Sequence, residues 1–386
     1  MTSLFWPAHS ARRPVRVCPS RPRRSPRIRV CDPRPSPDRR LPSQTMPVVS
    51  VVLPIRNEAH FIERCLRSLL ANEYAHDRTE LIVVDGMSDD GTAEIVERLA
   101  VKESRIRVLN NRARTVPHGM NRGIRAARGE VIIRVDGHAA VPADFISQNV
   151  RALREHPDAW CVGGPMETIN TTWIGRAIAG AMASPVGVGN ARFRLGNHEG
   201  CVDTLAFGAY RRWVFDRIGL FDEELVRNQD DELNMRVIEG GGQIYMTQKV
   251  HSQYFPRTSL RKLARQYYQY GFWRIRTIQK HGRPATLRQL APLVFVVLWF
   301  VWAIAGLAYG PLWWLLAAYT AVYVLGLALG ALDVLQRCGL REALLAPLVF
   351  AILHFAYGLG SLKGLGWFVL VRRGLPQGQK ECQMSH

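Results

Sequence analysis

Apolar residues follow two alternating periods from residue 47 to about residue 155. Val48–Leu53 is an apolar run of strand length, and behind it Phe61, Ile62, Cys65, Leu66, Leu69 and Leu70 recur at helical spacing. Leu81–Val84 predicts a second strand, Thr92–Val101 a helix with Ile95, Val96 and Leu99 on one face, and Ile106–Leu109 a third strand. A helix around Met120–Ala127 leads into a fourth strand, Val131–Val135. Strand and helix in strict alternation imply right-handed crossovers and a mainly parallel sheet, an α/β class of fold. From there to about residue 285 short strands, loops and helices mix, with glycine clusters at Gly163-Gly164, Gly187–Gly189 and Gly240–Gly242.

The pattern then changes in kind. Gln289–Leu332 is 44 residues without a charge, broken midway by Gly310-Pro311, and 343–362 is a further uncharged run. A membrane-crossing helix needs about 20 apolar residues, so spans are expected at 289–309, 311–332 and 343–362. A buried helical core is the competing reading, and three such runs in one block disfavour it. Arg337 and Arg341 lie between the second and third spans, whereas Gly310-Pro311 carries no charge. That asymmetry predicts a multi-pass protein of the inner (plasma) membrane with its N-terminal domain in the cytoplasm. Lys363, Arg372, Arg373 and Lys380 would then face outward, so Gly366–Val371 is expected to be a re-entrant or interfacial segment before a tail at 372–386. Ahead of the membrane zone, basic and aromatic residues interleave from Arg261-Lys262 through Tyr267-Tyr268 to Phe272-Trp273-Arg274 and Arg276. Residues 258–282 therefore predict an amphipathic helix on the membrane surface. The same ingredients could bind nucleic acid, but adjacency to membrane spans argues for lipid and against a nucleic-acid partner.

Composition alters this picture at one end. The net charge is +19, and residues 1–45 carry +9 of it through eleven Arg against Asp32 and Asp38, together with nine of the 22 Pro. Such a segment builds no core and is expected to be disordered. A basic arm and a transit peptide compete as explanations with a third, that Met46, immediately before the first strand, is the natural start. The remaining 46–285 form the expected globular domain and 289–371 the membrane domain. The seven cysteines are scattered with no C-x-x-C spacing, so neither a disulfide framework nor a zinc site is indicated.

Chemistry is expected at the carboxyl ends of the strands, where open α/β sheets bind ligands. The first strand ends in Leu53-Pro54-Ile55-Arg56-Asn57-Glu58, and the second in Asp85, followed by Gly86-Met87-Ser88-Asp89-Asp90-Gly91-Thr92. Ser88, Asp89 or Asp90 could simply cap the next helix, while Asp85 could accept hydrogen bonds from a base or ribose. The fourth strand ends in Asp136-Gly137-His138, two potential metal ligands on one turn, although Asp-Gly alone is also a tight-turn signal. A divalent cation there would bridge to a diphosphate. Dinucleotide and P-loop sites are disfavoured, because neither glycine fingerprint occurs. Much later, Asn228-Gln229-Asp230-Asp231-Glu232-Leu233 leads into a helix. Its acids could be caps, or one could serve as a general base.

As an ordered set, Leu-Pro-x-x-Asn-Glu, Val-Val-Asp-Gly-x-Ser-x-Asp-Gly-Thr, Arg-Val-Asp-Gly-His and Gln-Asp-Asp-Glu-Leu-Asn-x-Arg resembles the family-2 inverting glycosyltransferases of the GT-A fold. Within them it is similar to the ExoA-type enzymes that extend lipid-linked exopolysaccharide units. The resemblance implies a GT-A nucleotide-sugar-binding fold, Rossmann-like and mixed but mainly parallel, followed by C-terminal transmembrane helices. It implies a nucleoside-diphosphate sugar donor, UDP-glucose, a polyprenyl-diphosphate-linked saccharide acceptor, and Mn²⁺ or Mg²⁺ as cofactor.

Position by position, the resemblance places Pro54, Asn57, Glu58 and Asp85 in the nucleotide-contacting motif with Asp90 in its loop, Asp136 as first Asp of the D-x-D metal motif, and Asp230 as catalytic base. Two departures stand out: His138 replaces the second Asp of D-x-D, which moves metal preference toward Mn²⁺ if it is a ligand, and Gln229 replaces the Glu before the base. Arg257 is a candidate second phosphate contact. The loop from Gly187 to Gly200, with Asn190, Phe193 and Arg194, and Asp203-Thr204 are expected to frame the acceptor. Gln266-Tyr267-Tyr268-Gln269-Tyr270 lies where processive synthases carry Gln-x-x-Arg-Trp, and the missing Arg and Trp favour single addition over polymerisation. A membrane-bound nucleotidyltransferase and a non-catalytic scaffold are the competing classes.

Overall fold

A computed structural model describes residues 46–196, 198–255 and 259–371. The expectations for 1–45, for the tail at 372–386 and for Arg257 fall outside the described residues. Eleven strands occur among them: β1 (Val49–Ile55), β2 (Thr79–Asp85), β3 (Ile106–Asn110), β4 (Val131–Arg134), β5 (Ala139–Ala140), β6 (Ala159–Gly163), β7 (Met166–Thr168), β8 (Gly200–Cys201), β9 (Ala209–Arg211), β10 (Gln243–Met246) and β11 (Ser252–Tyr254). The main sheet runs β3-β2-β1-β4-β9-β6-β10-β8, and a small second sheet runs β5-β11-β7.

β1 pairs parallel with β2 and β4, and β2 with β3, as the alternating periods predict. The sheet is mixed because the middle of the chain supplies β9, which inserts antiparallel between β4 and β6. Period-2 alternation divides the strand residues between two cores. Val49, Val51, Leu53 and Ile55 pack into one layer with Ile133 and Val135. Val52, Ile82, Val84 and Ile132 pack into the other, against Met120, Ile124 and Leu233. Covered on both faces, all seven residues of β1 are buried.

Among the described residues three helices are long and apolar enough to cross a membrane: Leu287–Ala308, Gly310–Cys338 and Leu340–Leu370, with mean hydropathies of 2.4, 2.0 and 1.9. The third contains Leu340–Gly364 and continues as a π-helical turn, Leu365–Leu370. The segment expected to be re-entrant or interfacial thus prolongs the third helix, and Phe368 is buried against Phe272 and Trp273.

The basic-aromatic stretch forms one helix, Leu260–His281, with Arg261, Lys262 and Arg265 exposed. Its other side packs along the third apolar helix, where glycines permit backbone approach. A Cβ at Gly360 would stand 2.0 Å from the Tyr268 carbonyl oxygen, and one at Gly271 2.0 Å from that of Tyr357. The helix therefore ties the α/β domain to the apolar helices, and carboxylates of the domain grip its outer end: Arg276 bonds Glu224, and Lys280 bonds Asp222 and Glu224.

Candidate active site

Because β1 and β4 are neighbours and parallel, the segments leaving their carboxyl ends emerge side by side. Asp136 lies two residues beyond β4, and Glu58 three residues beyond β1. Gly137 sits between them: a Cβ there would meet Glu58 Cγ at 3.1 Å and Ile55 Cγ2 at 2.9 Å. That gap lets the β4 turn close on Glu58, and His138 Nδ1 lies 2.9 Å from Glu58 Oε1 with both side chains buried. The His138 ring also stacks edge-on against Tyr254, 4.8 Å between centroids.

A cavity of about 550 Å³ opens from this point. Pro54, Glu58, Asp136, His138 and Asp230 all line it, so the structure brings these five expected site residues together across the sheet edge. Tyr267 and Tyr270 of the Leu260–His281 helix form part of its wall, and Phe295, Tyr323 and Leu353 from the three apolar helices form another.

Asn57, Asp85 and Asp90 do not line it; they knit the adjoining turns together. Asp85 accepts from the Ser88 hydroxyl (2.5 Å) and amide (3.1 Å). Ser88 Oγ in turn accepts from the Asn57 amide, and Asn57 Oδ1 from the Asp89 amide. Asp90 accepts from the Ala59 and Thr92 amides. Capping, weighed above for this loop, is not what Asp90 does: the helix Thr92–Lys102 starts from Gly91, whose left-handed backbone (φ 91°) is joined by no side-chain cap, and Asp90 braces the turn ahead of it.

The acidic patch departs from the capping reading altogether. Asn228, at the start of the helix Gln229–Glu239, has a left-handed backbone (φ 62°) and makes no side-chain cap. Each following acid has its own cation: Asp230 pairs with Arg134, Asp231 with Arg274, and Glu232 with Arg236 and His281. Burial works against the Asp231 charge, but the adjacent Arg274 outweighs it and holds the carboxyl below its ordinary range.

Arg134 opens the Arg-Val-Asp-Gly-His motif, which by itself gives it no role. It is the last residue of β4, its side chain only 7% exposed, and its guanidinium spans the cavity floor. Nε and Nη2 donate to Asp136 Oδ1 at 3.1 and 2.9 Å, while Nη1 donates to Asp230. A planar fork can hold two carboxylates at a fixed separation where a lysine could not. A charge inside the apolar run Val131–Val135 was the available signal. Arg56 is similar: it is buried in the cavity wall, and among the described residues its Nε and Nη1 have no partner.

No group of three or more His, Cys, Asp or Glu is arranged to hold a metal ion among the described residues. The donor set fits a different kind of site. Glu58 Oε2 is buried without a partner, Asp136 faces the cavity, and a hard divalent cation commonly binds one or two carboxylates plus substrate phosphates. The bond from His138 Nδ1 to Glu58 is the kind of contact that orients imidazole ligands. Cys65, beneath the turn, donates to the Asp136 carbonyl oxygen (3.5 Å), and burial pushes its thiol up to about 12.

His138→Asp, which would complete D-x-D, is expected to destabilise the fold. It would set a second carboxylate against buried Glu58, and two such groups resist joint ionisation. Adding Glu58→Gln should recover the loss. Thermal melts of the single and double variants read this, and a single variant melting with the wild type would contradict it.

The architecture matches known glycosyltransferases. A mannosyltransferase from Pyrobaculum calidifontis, solved with GDP-Man and Mn²⁺, superposes with a TM-score of 0.53 at 18% identity, over 83% of this chain and 88% of that one. The fold is GT-A. The glycosyl transferase family 2 model matches residues 50–219. The succinoglycan biosynthesis protein ExoA of Rhizobium meliloti is 32% identical over 279 residues, 67% of this chain and 84% of that protein. A Methanococcus voltae dolichyl N-acetyl-alpha-D-glucosaminyl phosphate 3-beta-D-2,3-diacetamido-2,3-dideoxy-beta-D-glucuronosyltransferase is 24% identical over 83% of this chain and 98% of its own length. The chain belongs to glycosyl transferase family 2, and its apolar helices make it a membrane-associated member.

Proposed function

We propose that this enzyme transfers glucose from UDP-glucose, with inversion, to a polyprenyl-diphosphate-linked saccharide in exopolysaccharide or cell-envelope polysaccharide synthesis. It would do so from the cytoplasmic face of the plasma membrane, the side favoured by Arg337 and Arg341. One observation carries the reading: a single cavity runs from the strand ends at Glu58 and Asp136, past Asp230, to Phe295, Tyr323 and Leu353 on the three apolar helices. A donor of sugar nucleotide at one end and an acceptor rooted in lipid at the other would meet at Asp230. The relationship to a succinoglycan biosynthesis protein and to a transferase named for a dolichyl-phosphate sugar supports the acceptor class.

In this mechanism Asp230 takes the proton of an acceptor hydroxyl as its oxygen attacks the anomeric carbon. The bond to the diphosphate breaks on the opposite face, and the nucleoside diphosphate departs with that electron pair. Arg134 fixes where the Asp230 carboxylate points. Asp136, with His138, would hold Mn²⁺ or Mg²⁺ on the donor diphosphate, where a bound divalent cation neutralises charge developing on the leaving group. Pro54 and Glu58 would meet the nucleotide from the cavity wall, and Asn57, Asp85 and Asp90 from the adjoining turn. The unpartnered Arg56 supplies a further donor contact.

The test is to incubate membranes carrying the protein with labelled nucleotide sugars, with and without Mn²⁺ and Mg²⁺. Label from UDP-glucose should enter an organic-extractable lipid and fail to do so after chelation. Label entering a water-soluble polymer, or none entering from any donor, would overturn the proposal.

A further inference from the structure

Of the cavity arginines with no role in the mechanism above, Arg194 and Arg274 share an unusual feature. Arg274, on the Leu260–His281 helix, is 5% exposed. Its Nε donates to the Tyr357 hydroxyl on the third apolar helix (3.1 Å), and its Nη2 to Asn228 Oδ1 (3.2 Å) and to Asp231. Its Nη1 is buried and without a partner among the described residues. Arg194 lines the same cavity from the short helix Arg192–Leu195, and its Nη1 is likewise buried and without a partner among the described residues. Among the described residues Arg194 has no carboxylate within ion-pair distance. Burial raises the phenols of Tyr254 and Tyr267, and Arg194 is near enough for its charge to oppose that rise.

A buried guanidinium N–H with no acceptor costs free energy, and two in one cavity call for an anion. Asp231 answers only one face of Arg274. Guanidinium forks match phosphate oxygens better than any other common anion in such a site. Phosphate could arrive on the donor or on the acceptor. Position favours the acceptor: Asp136 and Arg56 stand just beyond the strand ends, whereas Arg274 is bonded through Tyr357 to the third apolar helix. We propose that Arg194 and Arg274 form a seat for the phosphate or diphosphate that joins the acceptor saccharide to its lipid, with the apolar helices taking the hydrocarbon. The seat rests on the reading of the acceptor as lipid-linked.

The test uses the full chain in lipid nanodiscs with farnesyl diphosphate, farnesol and UDP as probes. Wild type should bind farnesyl diphosphate well above farnesol. Arg194→Gln should weaken it by about ten- to a hundredfold, the effect of one charged hydrogen bond, and leave UDP binding within about twofold. Arg274→Gln should do the same, but it also strips Asp231 of its partner, so Arg194→Gln is the deciding variant. Unchanged farnesyl diphosphate binding in Arg194→Gln, an equal loss of UDP binding, or no binding of farnesyl diphosphate by wild type would each overturn the seat. If Arg194→Gln glycosylates a lipid acceptor with unaltered acceptor KM, the seat fails and the proposed function stands. If wild type holds farnesyl diphosphate through these arginines yet moves no sugar onto lipid, the function fails and the seat stands.

Discussion

Asp230→Asn is expected to lower kcat by about 100- to 10,000-fold, the range typical of losing a general base, with donor binding close to wild type. The substitution keeps the side-chain shape and a hydrogen-bond acceptor for Arg134, and Asp136 still satisfies the other side of that guanidinium. The fold should therefore survive, and the loss should appear in turnover alone. The neighbouring acids are poorly placed to take over the role: both oxygens of Asp231 are engaged, by Thr204 and Arg274, and both of Glu232, by Arg236 and His281, whereas Arg134 engages one oxygen of Asp230. Steady-state kinetics together with UDP titration would measure this, and near-normal turnover with normal donor affinity would remove Asp230 from the mechanism.

Arg134→Met is expected to be nearly as severe and to act differently. It removes the cation common to Asp136 and Asp230 and leaves two carboxylates facing one cavity without it. Losing hydrogen bonds to charged groups costs about 1.5–3 kcal/mol each in a protein interior, and both carboxylates are partly exposed, so the stability loss should sit near the lower end. The larger effect is on geometry. A displacement of about 1 Å in a reacting group can cost on the order of 100-fold in rate, and without Arg134 the two acids would move apart. Arg134→Lys should fall between, since one ammonium cannot form both contacts of the planar fork. A lowered melting temperature with intact kcat in Arg134→Met would show that the residue serves the fold alone.

Much of this site was legible before any coordinate. The strand ends carrying Pro54, Glu58, Asp85 and Asp136 follow from apolar runs that stop at polar residues, because a strand covered on both faces must end where its sequence turns polar. The three apolar helices follow from length and lack of charge in the same direct way. Arg134 stands in the Arg-Val-Asp-Gly-His motif without a role, because it reads as a blemish in a strand and the residue that gives it meaning, Asp230, is 96 positions away. Arg274 was read as a lipid-facing cation among aromatics; in the fold it is buried against Asp231, 43 positions earlier. The acidic run was ambiguous for the same reason: helix caps and ion pairs use the same residues, and only the partner tells them apart.

The sequence alone determined the order of elements, the parallel half of the sheet, the apolar helices and which polar groups stand at each strand end, since periodicity, charge and local turns are properties of neighbours along the chain. The tertiary structure decided which of those groups meet. It set antiparallel β9 between β4 and β6, laid the Leu260–His281 helix along the third apolar helix through glycine contacts, and pointed His138 at Glu58. It also joined the strand-end acids and the apolar helices in one cavity. These are contacts between distant residues, fixed by how packed layers fill space and pair buried charge, which no local pattern specifies.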